Sequence, residues 1–453
     1  MKALRDTFKE ISHYPSAIVG SLLILLLVAL TIYTMITIPY KEAIRLWRAS
    51  EDVVYKNPKN APPEWFNRFS KKQLPVSFAV VAGEDEGFTK VTTPRANGST
   101  IEYEYTYNFA ADDYPQEMFL YITSKYKTKN PFVAVTLINP DGEEIKIVDV
   151  GTAARTIYRF SQDDKLLTRL NRLHGRKVQN AMTGIYSELK SDPSVLNRGD
   201  YTLKIIATTF EPESDVNIEF VQHGQVAGLF GTDHLRRDLT TAMLWGAPIA
   251  LAFGLVAAVG TSVLSMLIAA FGTWYGGWVD ELIQRITEVN MVLPYFSILI
   301  MVGTFYSRSI WVLLVVTVAL GIFTGTIKTD RAIFLQVKES TYIEAAKAYG
   351  AGNGRVIMRY MIPRIVPLLI PGLVSAVPAY VFLEASLAIL GLGDPTIPTW
   401  GKIIDDARTQ GALYQGWFYW ILEPSIFLMI TGLGFAMLGF ALDRIFNPRL
   451  RGM

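Results

Sequence analysis

Long uncharged apolar runs alternate along this chain with stretches of ordinary polar sequence, and the runs have membrane-spanning length. A bilayer core of about 30 Å needs roughly 20 apolar residues in a helix. Tyr14 to Tyr40 is free of charge and rich in Leu, Ile and Val. It follows Lys2, Arg5 and Lys9 and ends in Thr-Ile-Pro, which predicts a retained span rather than a cleaved signal peptide. Leu239 to Val279 is the next run, with room for one span and interfacial Trp and Gly. Val289 to Ser307 and Ser309 to Ile327 are divided by Arg308. Ile365 to Leu383 continues past Glu384, and Pro424 to Leu442 closes the series, giving six predicted spans.

Between the first two runs the pattern changes. Ile101 to Phe109 alternates apolar and polar residues at every position, the signature of a half-buried strand. Phe132 to Ile138 and Glu144 to Val148 flank Asn-Pro-Asp-Gly, where Pro140 and Gly142 suit a hairpin turn. Tyr201 to Ala207 and Val216 to Val221 add two strands. Asp163 to Lys190 has helical spacing, with Leu166, Leu167, Leu170, Leu173, Val178 and Met182 near one face. The fold class is therefore an α-helical polytopic membrane protein carrying an inserted β-rich, sandwich-like domain with a helical insertion. The domains are 1–40 (N-terminus and first span), 41–228 (β-rich domain) and 229–453 (five-helix core), with a polar loop over 328–364.

Composition agrees: of 453 residues half are hydrophobic and 19% charged, and net charge is +2, with a mean hydropathy of +0.25. That charge is too small to point to nucleic acid. With no cysteine, thiol chemistry is excluded, and four scattered histidines suggest no metal site. No phosphate-binding loop occurs: Gly401-Lys402 is followed by Ile403, and Thr396 stands where the first glycine belongs. Asp112-Asp113, Glu143-Glu144 and His174 are expected to be solvated surface, and Asn97-Gly-Ser99 is a glycosylation sequon.

Orientation follows from the Lys/Arg content of short loops. The loop 328–364 carries Lys328, Arg331, Lys338, Lys347, Arg355, Arg359 and Arg364 against Asp330, Glu339 and Glu344. The tail has Arg444, Arg449 and Arg451 against Asp443. These and the basic N-terminus are expected in the cytoplasm, the β-rich domain outside, and the cell membrane as the location. The Gly272–Glu288 connection should then be cytoplasmic too, yet it is acidic and lends no support.

Within the 328–364 loop stands Tyr342-Ile-Glu-Ala-Ala-Lys-Ala-Tyr-Gly350, followed by Tyr360-Met-Ile-Pro363. Two adjacent alanines beside Glu344 predict a flat helical surface with one charged handle, and Gly350-Ala-Gly352-Asn-Gly354 predicts helix, turn, helix. The spacing resembles the Glu-Ala-Ala signature of membrane subunits of bacterial and archaeal ABC importers. Tyr360 and Ile362 replace that signature's Ile and Leu. Gly231-Thr-Asp-His-Leu-Arg-Arg-Asp238, Tyr275-Gly-Gly-Trp-Val-Asp280, Glu384 to Gly393, Pro398-Thr-Trp-Gly401 and Asn447-Pro-Arg-Leu450 narrow the resemblance to the dipeptide/oligopeptide/nickel permease family. Arg236 departs from that pattern, which has Gly there. The β-rich domain is no part of it.

The resemblance implies a transport subunit, not an enzyme. It would pair with a second permease subunit, two ATPase subunits that bind ATP and magnesium, and an extracytoplasmic solute-binding protein, importing oligopeptides or oligosaccharides. This chain itself would hold no cofactor. Glu344, Ala345, Ala346, Gly350 and Pro363 would form the ATPase-coupling element, with Glu344 pairing a basic residue of the ATPase. Glu384 lies about 30 Å of helix beyond Pro363 at 1.5 Å per residue, which makes it a candidate outer gate or packing hinge. Asp233, Arg237 and Asp238 are expected in an interfacial helix with internal charge pairing. Trp274, Tyr275, Trp278, Trp417, Tyr419 and Trp420 are expected to be interfacial anchors, with sugar stacking the alternative for Trp417 and Trp420. A membrane-anchored sensor would need a signalling domain where only a short tail follows Leu442. An ion-driven secondary transporter would need mid-bilayer carboxylates or histidines, which the runs nearly lack.

Overall fold

The computed structural model describes residues 14–189 and 195–446. Lys2, Arg5 and Lys9, Lys190, and Asn447-Pro-Arg-Leu450 with Arg449 and Arg451 lie outside the described residues. The chain divides into two compact units, Ala49–Thr240 and the combination of Met1–Arg48 with Thr241–Met453.

In the Ala49–Thr240 unit, alternating sequence becomes two antiparallel sheets. The strands are β1 (Phe78–Val81), β2 (Phe88–Arg95), β3 (Gly98–Phe109), β4 (Glu117–Lys125), β5 (Phe132–Ile138), β6 (Glu144–Gly151), β7 (Arg155–Arg159), β8 (Gly199–Thr208) and β9 (Asp215–His223). One sheet has the order β1-β9-β4-β7 and the other β2-β3-β8-β5-β6. In β3 the odd positions Ile101, Tyr103, Tyr107 and Phe109 are buried, and Tyr105 is partly buried against the same core. Register sets Ile101 opposite Ala207, Tyr103 opposite Ile205 and Tyr107 opposite Tyr201. Met118, Leu120 and Ile122 of β4 and Ile218 and Phe220 of β9 join the same core from the other sheet. The predicted hairpin closes through Gly142 N–H donating to the Asn139 carbonyl at 2.9 Å.

The helical insertion differs from its expected single span. It is two helices, Asp164–His174 and Ala181–Tyr186. Gly175 takes a left-handed φ of 68°, and Arg176 N–H returns to the Asn171 carbonyl at 3.1 Å, which ends the first helix. Leu166, Leu170, Val178 and Met182 are buried as their spacing predicts, while Leu173 is exposed. His174 is not solvated surface: it is buried, with Nε2 2.8 Å from the Gly184 carbonyl.

In the other unit four helices are long and apolar enough to cross a membrane: Pro15–Thr37, Leu239–Tyr275, Asn353–Leu392 and Tyr419–Ile445. The third and fourth predicted runs are not straight spans. Gly277–Val292 and Tyr295–Phe305 meet at a 77° bend, and Ile310–Ile322 and Gly325–Lys338 at 46°, so the count is four, or up to six if each bent pair is one span. Pro294, which has no N–H, stands at the first break, and Phe323 leaves helical geometry at the second. The helix Ile362–Leu387 contains Pro367, Pro371 and Pro378 in its interior. A widened π turn, Ile357–Met361, precedes it. Among the expected interfacial aromatics, Trp278 and Tyr275 are exposed, whereas Trp274, Tyr419 and Trp420 are buried in this unit. Their packing therefore replaces the anchoring expected of them, and a buried Trp420 offers no face for a sugar.

His223, at the end of β9, is buried with Nε2 2.7 Å from the Tyr55 carbonyl. Burial, reinforced by Arg236 and Arg159 nearby, lowers its pKa from 6.5 to about 4. Below pH 6.5 the unfolded chain takes up a proton that the folded unit refuses until about pH 4. Stability is therefore complete at neutral pH and falls across that window, by about 3 kcal/mol for this group. Thermal unfolding of the β-rich unit should weaken less between pH 7 and pH 4 in His223→Gln than in the unaltered chain; equal losses would refute this role.

Candidate functional site

The polar 328–364 loop folds into a braced platform around one apolar cluster. Met266, Ala269, Ala270 and Trp274 come from the end of Leu239–Tyr275, and Phe334 and Val337 from Gly325–Lys338. Ile343 comes from the helix Thr341–Ala348, and Val356, Ile357, Met361, Ile362 and Ile365 from the chain entering the next long helix. Charges fasten the rim. Lys338 Nζ donates to the carbonyls of Thr273 and Trp274 at 2.9 and 3.1 Å, at a helix end where a cation is favoured. Arg331 Nε donates to both Asp280 carboxylate oxygens at 2.8 and 3.0 Å, and Lys328 lies 3.5 Å from Glu288. Lys347 stands 4.6 Å over the Trp274 ring. The acidic 277–288 segment, puzzling on charge alone, is thus the counter-charge of the basic 328–338 segment.

On this platform the helix Thr341–Ala348 lies with Ile343 and Ala346 buried and Glu344 and Ala345 exposed. The two alanines do not share one face as the sequence suggested. Successive residues are turned by about 100° on a helix of 3.6 residues per turn, so Ala346 seats the helix while Ala345 faces outward. The Glu344 side chain makes no hydrogen bond or ion pair among the described residues. Tyr342 and Tyr349, 40% and 93% exposed, flank it; the sequence reading assigned them no role. The signal was there in their spacing from Ile343 and Ala346, which shows them off the buried face.

Gly350 ends the helix. Its φ is 79°, its N–H donates to the Lys347 carbonyl at 2.9 Å, and Ala351 N–H donates to that of Ala346 at 3.0 Å. These are the paired bonds of a left-handed cap, with Ala351 packed on the cluster. Pro363 sits in the first turn of Ile362–Leu387, where its missing N–H costs least.

Glu384 lies elsewhere, near the end of that helix and 7% exposed. Its carboxyl hydrogen-bonds the Thr399 side chain. Thr399 also accepts from Lys402 N–H at 3.1 Å, capping the helix Trp400–Thr409. The neighbouring Trp400 is buried and donates its indole N–H to the Met243 carbonyl at 2.9 Å. Glu423 went unremarked in the sequence because it precedes its apolar run; it is buried, and neither carboxylate oxygen has a hydrogen-bond partner among the described residues.

In the other unit Asp233 and Arg237 pair as expected, with side chains 0% and 6% exposed. The expected helix is absent. Asp233 accepts the N–H groups of Leu235 and Arg237 at 2.9 and 2.8 Å and Arg236 takes a φ of 64°, so the segment is a tight turn. Asp238 accepts the N–H of Thr240 at 2.8 Å, which caps the first turn of Leu239–Tyr275.

Comparison with known proteins accords with this architecture. The family of binding-protein-dependent transport system inner membrane components matches residues 261–452. The dipeptide transport system permease protein DppC of Bacillus subtilis is 30% identical over 223 residues, covering 49% of this chain and 69% of the relative. This chain belongs to that family. It is an ABC importer permease of the dipeptide/oligopeptide group and a multi-pass membrane protein. A DppC of Alkalihalophilus pseudofirmus is 29% identical, covering 49% of the permease and 72% of the relative. The glutathione transport system permease protein GsiD of Shigella dysenteriae is 30% identical, covering 49% and 73%. Residues 49–240 lie outside the matched family segment.

A Cβ at Gly350 would meet no atom within 4 Å, so only backbone conformation restricts that position. Gly350→Ala should therefore destabilise the Thr341–Ala348 helix by about 1 kcal/mol, whereas Gly352→Ala, at a φ of −69°, should be tolerated. Hydrogen exchange across residues 341–351 distinguishes them: equal protection in both variants would overturn the assignment.

Proposed function

We propose that the permease forms half of a translocation pathway for peptides, with Thr341–Ala348 as the element that a partner ATPase grips. The observation that carries the second part is the combination of a rigid seat with an unpaired outward face. Glu344, Ala345, Tyr342 and Tyr349 are exposed, while Ile343 ties the helix to the ends of several membrane helices and Ala346 is buried. A push on that face is passed to Ile362–Leu387 through Met361, Ile362 and Ile365 of the same cluster.

The peptide substrate is inferred from relatives whose names specify dipeptide and glutathione transport; their names give no support to oligosaccharides. A cavity of about 200 Å³ in the membrane unit fits a polar solute. Thr261, Ser262, Ser265, Thr324 and Tyr380 line it beside the small residues Gly321 and Gly372. Tyr380 donates to the Thr261 hydroxyl at 3.1 Å, and Ser265 to the Ile322 carbonyl at 2.7 Å. Such hydroxyls can exchange an internal bond for one to a passing peptide group. A second permease subunit completes the pathway, two ATPases bind ATP and magnesium, and a solute-binding protein delivers cargo. Six spans would place the 328–364 loop and the chain termini in the cytoplasm and the β-rich domain outside, and the Asp280–Arg331 pair supports a common side for 277–292 and the loop.

Glu384 serves as a packing hinge at the capped end of Trp400–Thr409 rather than as a freely moving gate, because its carboxyl is already engaged at a helix N-terminus. The Asp233–Arg237 turn stiffens the entry into Leu239–Tyr275.

In the assembled transporter, Glu344→Lys should lower substrate-stimulated ATP hydrolysis about tenfold or more, the loss of roughly 1.4 kcal/mol of coupling. Intact stimulation would refute the docking role. In reconstituted vesicles a labelled dipeptide should be taken up with ATP and competed by other short peptides. Uptake competed by an oligosaccharide alone would refute the substrate class.

A further inference from the structure

The β-rich unit carries an exposed aromatic cluster. Trp65, Phe66 and Phe69 are 40%, 42% and 82% exposed, and Leu229 beside them is 58% exposed. The Trp65 ring lies 5.8 Å from Phe66 and 6.1 Å from Phe69. Exposed aromatics at this density usually mark a binding surface. The cluster is held rigidly. Glu64 N–H donates to the Gly228 carbonyl and Gly228 N–H to the Glu64 carboxylate, both at 3.0 Å. Trp65 indole N–H donates to the Leu229 carbonyl at 2.9 Å. The Glu64 charge is thereby engaged by backbone, while the exposed residues Arg68, Lys71 and Lys72 of the same short segment remain outward.

Chain connectivity fixes what lies near. Leu229 is two residues from Gly231, whose carbonyl accepts the N–H of Leu239 at 3.0 Å. Leu239 is the first residue of Leu239–Tyr275, a helix of membrane-spanning length and hydropathy. Two extended residues reach about 7 Å, so the aromatic cluster lies near Leu239, where the chain leaves this unit. Amphipathic aromatic rings with adjacent Arg and Lys match the headgroup region of a bilayer, where rings enter the interface and cations meet anionic lipid.

We propose that Trp65, Phe66 and Phe69, together with Arg68, Lys71 and Lys72, anchor the β-rich unit to an anionic lipid surface beside the point where the chain enters the membrane. The anchor holds whichever side of the membrane the unit occupies. It is independent of the cargo and of the ATPase contact.

The absence of cysteine from the chain makes the test direct. Phe69→Cys, at an exposed position, is spin-labelled in the full chain, assembled with its partners, in nanodiscs of phosphatidylcholine with or without phosphatidylglycerol. Lys127→Cys, with a side chain 77% exposed on another turn of the unit, is the control. The label at 69 should collide several-fold more with oxygen than with a water-soluble nickel chelate, relative to the control. Phosphatidylglycerol should strengthen that preference, and the combined Arg68→Glu, Lys71→Glu and Lys72→Glu variant should remove its lipid dependence. Nickel accessibility at 69 equal to that at 127 would overturn the proposal. So would protection that arises only when solute-binding protein is added, which would make the cluster a protein-docking face.

Discussion

An eight-residue helix has no stability of its own in water, because nucleation consumes most of what its few hydrogen bonds return. The Thr341–Ala348 helix exists because Ile343 is held in an apolar seat assembled from three other segments, with Ala346 buried beside it. That dependence organises this end of the permease. Trp274 closes the seat from the end of a membrane helix and offers its ring to Lys347. Lys338 occupies the carbonyls that the same helix leaves free, and Arg331 joins Asp280 across the gap between two bent segments. Remove the seat and the outward face of Glu344 and Ala345 loses both its shape and its mechanical connection to the membrane helices.

Several hydroxyls inside the membrane unit follow one economy. Thr34, Thr261, Thr287 and Thr431 donate to carbonyls one turn earlier, which satisfies a hydroxyl without a partner helix. Two hydroxyls that reach a different segment, Ser265 to Ile322 and Tyr380 to Thr261, border the small polar cavity. Glu384 follows the same logic with a carboxylate, set against the N-cap of Trp400–Thr409. Glu423 breaks it, being buried with both oxygens unpartnered among the described residues, and so do the buried hydroxyls of Thr273 and Thr317.

Much of this was legible in the sequence. Period-two alternation located β3, a turn between two apolar stretches located the hairpin β5–β6, and β8 and β9 were also legible as strands, because each of these has one face on a single core. The strands β1, β2, β4 and β7 were missed. Glu117 to Lys125 is buried on both faces for much of its length and does not alternate, and Phe78–Val81 is short. The Glu-Ala-Ala loop was recognisable by spacing, and the left-handed cap at Gly350 by its glycine. Hydropathy could not show that Val289 to Ser307 breaks at Pro294, since apolar composition continues through the bend. It also could not show that Ala345 and Ala346 part company, because that depends on which face the cluster claims. The pairing of Asp280 with Arg331 joins segments far apart in the chain, so loop charge counts treated as anomalous what is complementarity.

The prolines in Ile362–Leu387 have a mechanical consequence. Each interior proline removes the bond to the carbonyl four residues earlier, and Pro367 and Pro371 are spaced so that the freed carbonyls line one stripe of the helix. Pro378 frees another a further two turns on. Along that stripe the rod has lost its longitudinal ties while the opposite side keeps them. Such a rod flexes as a leaf spring does, easily in one plane and stiffly in the other, so the plane in which this helix bends most readily is written into its covalent chemistry.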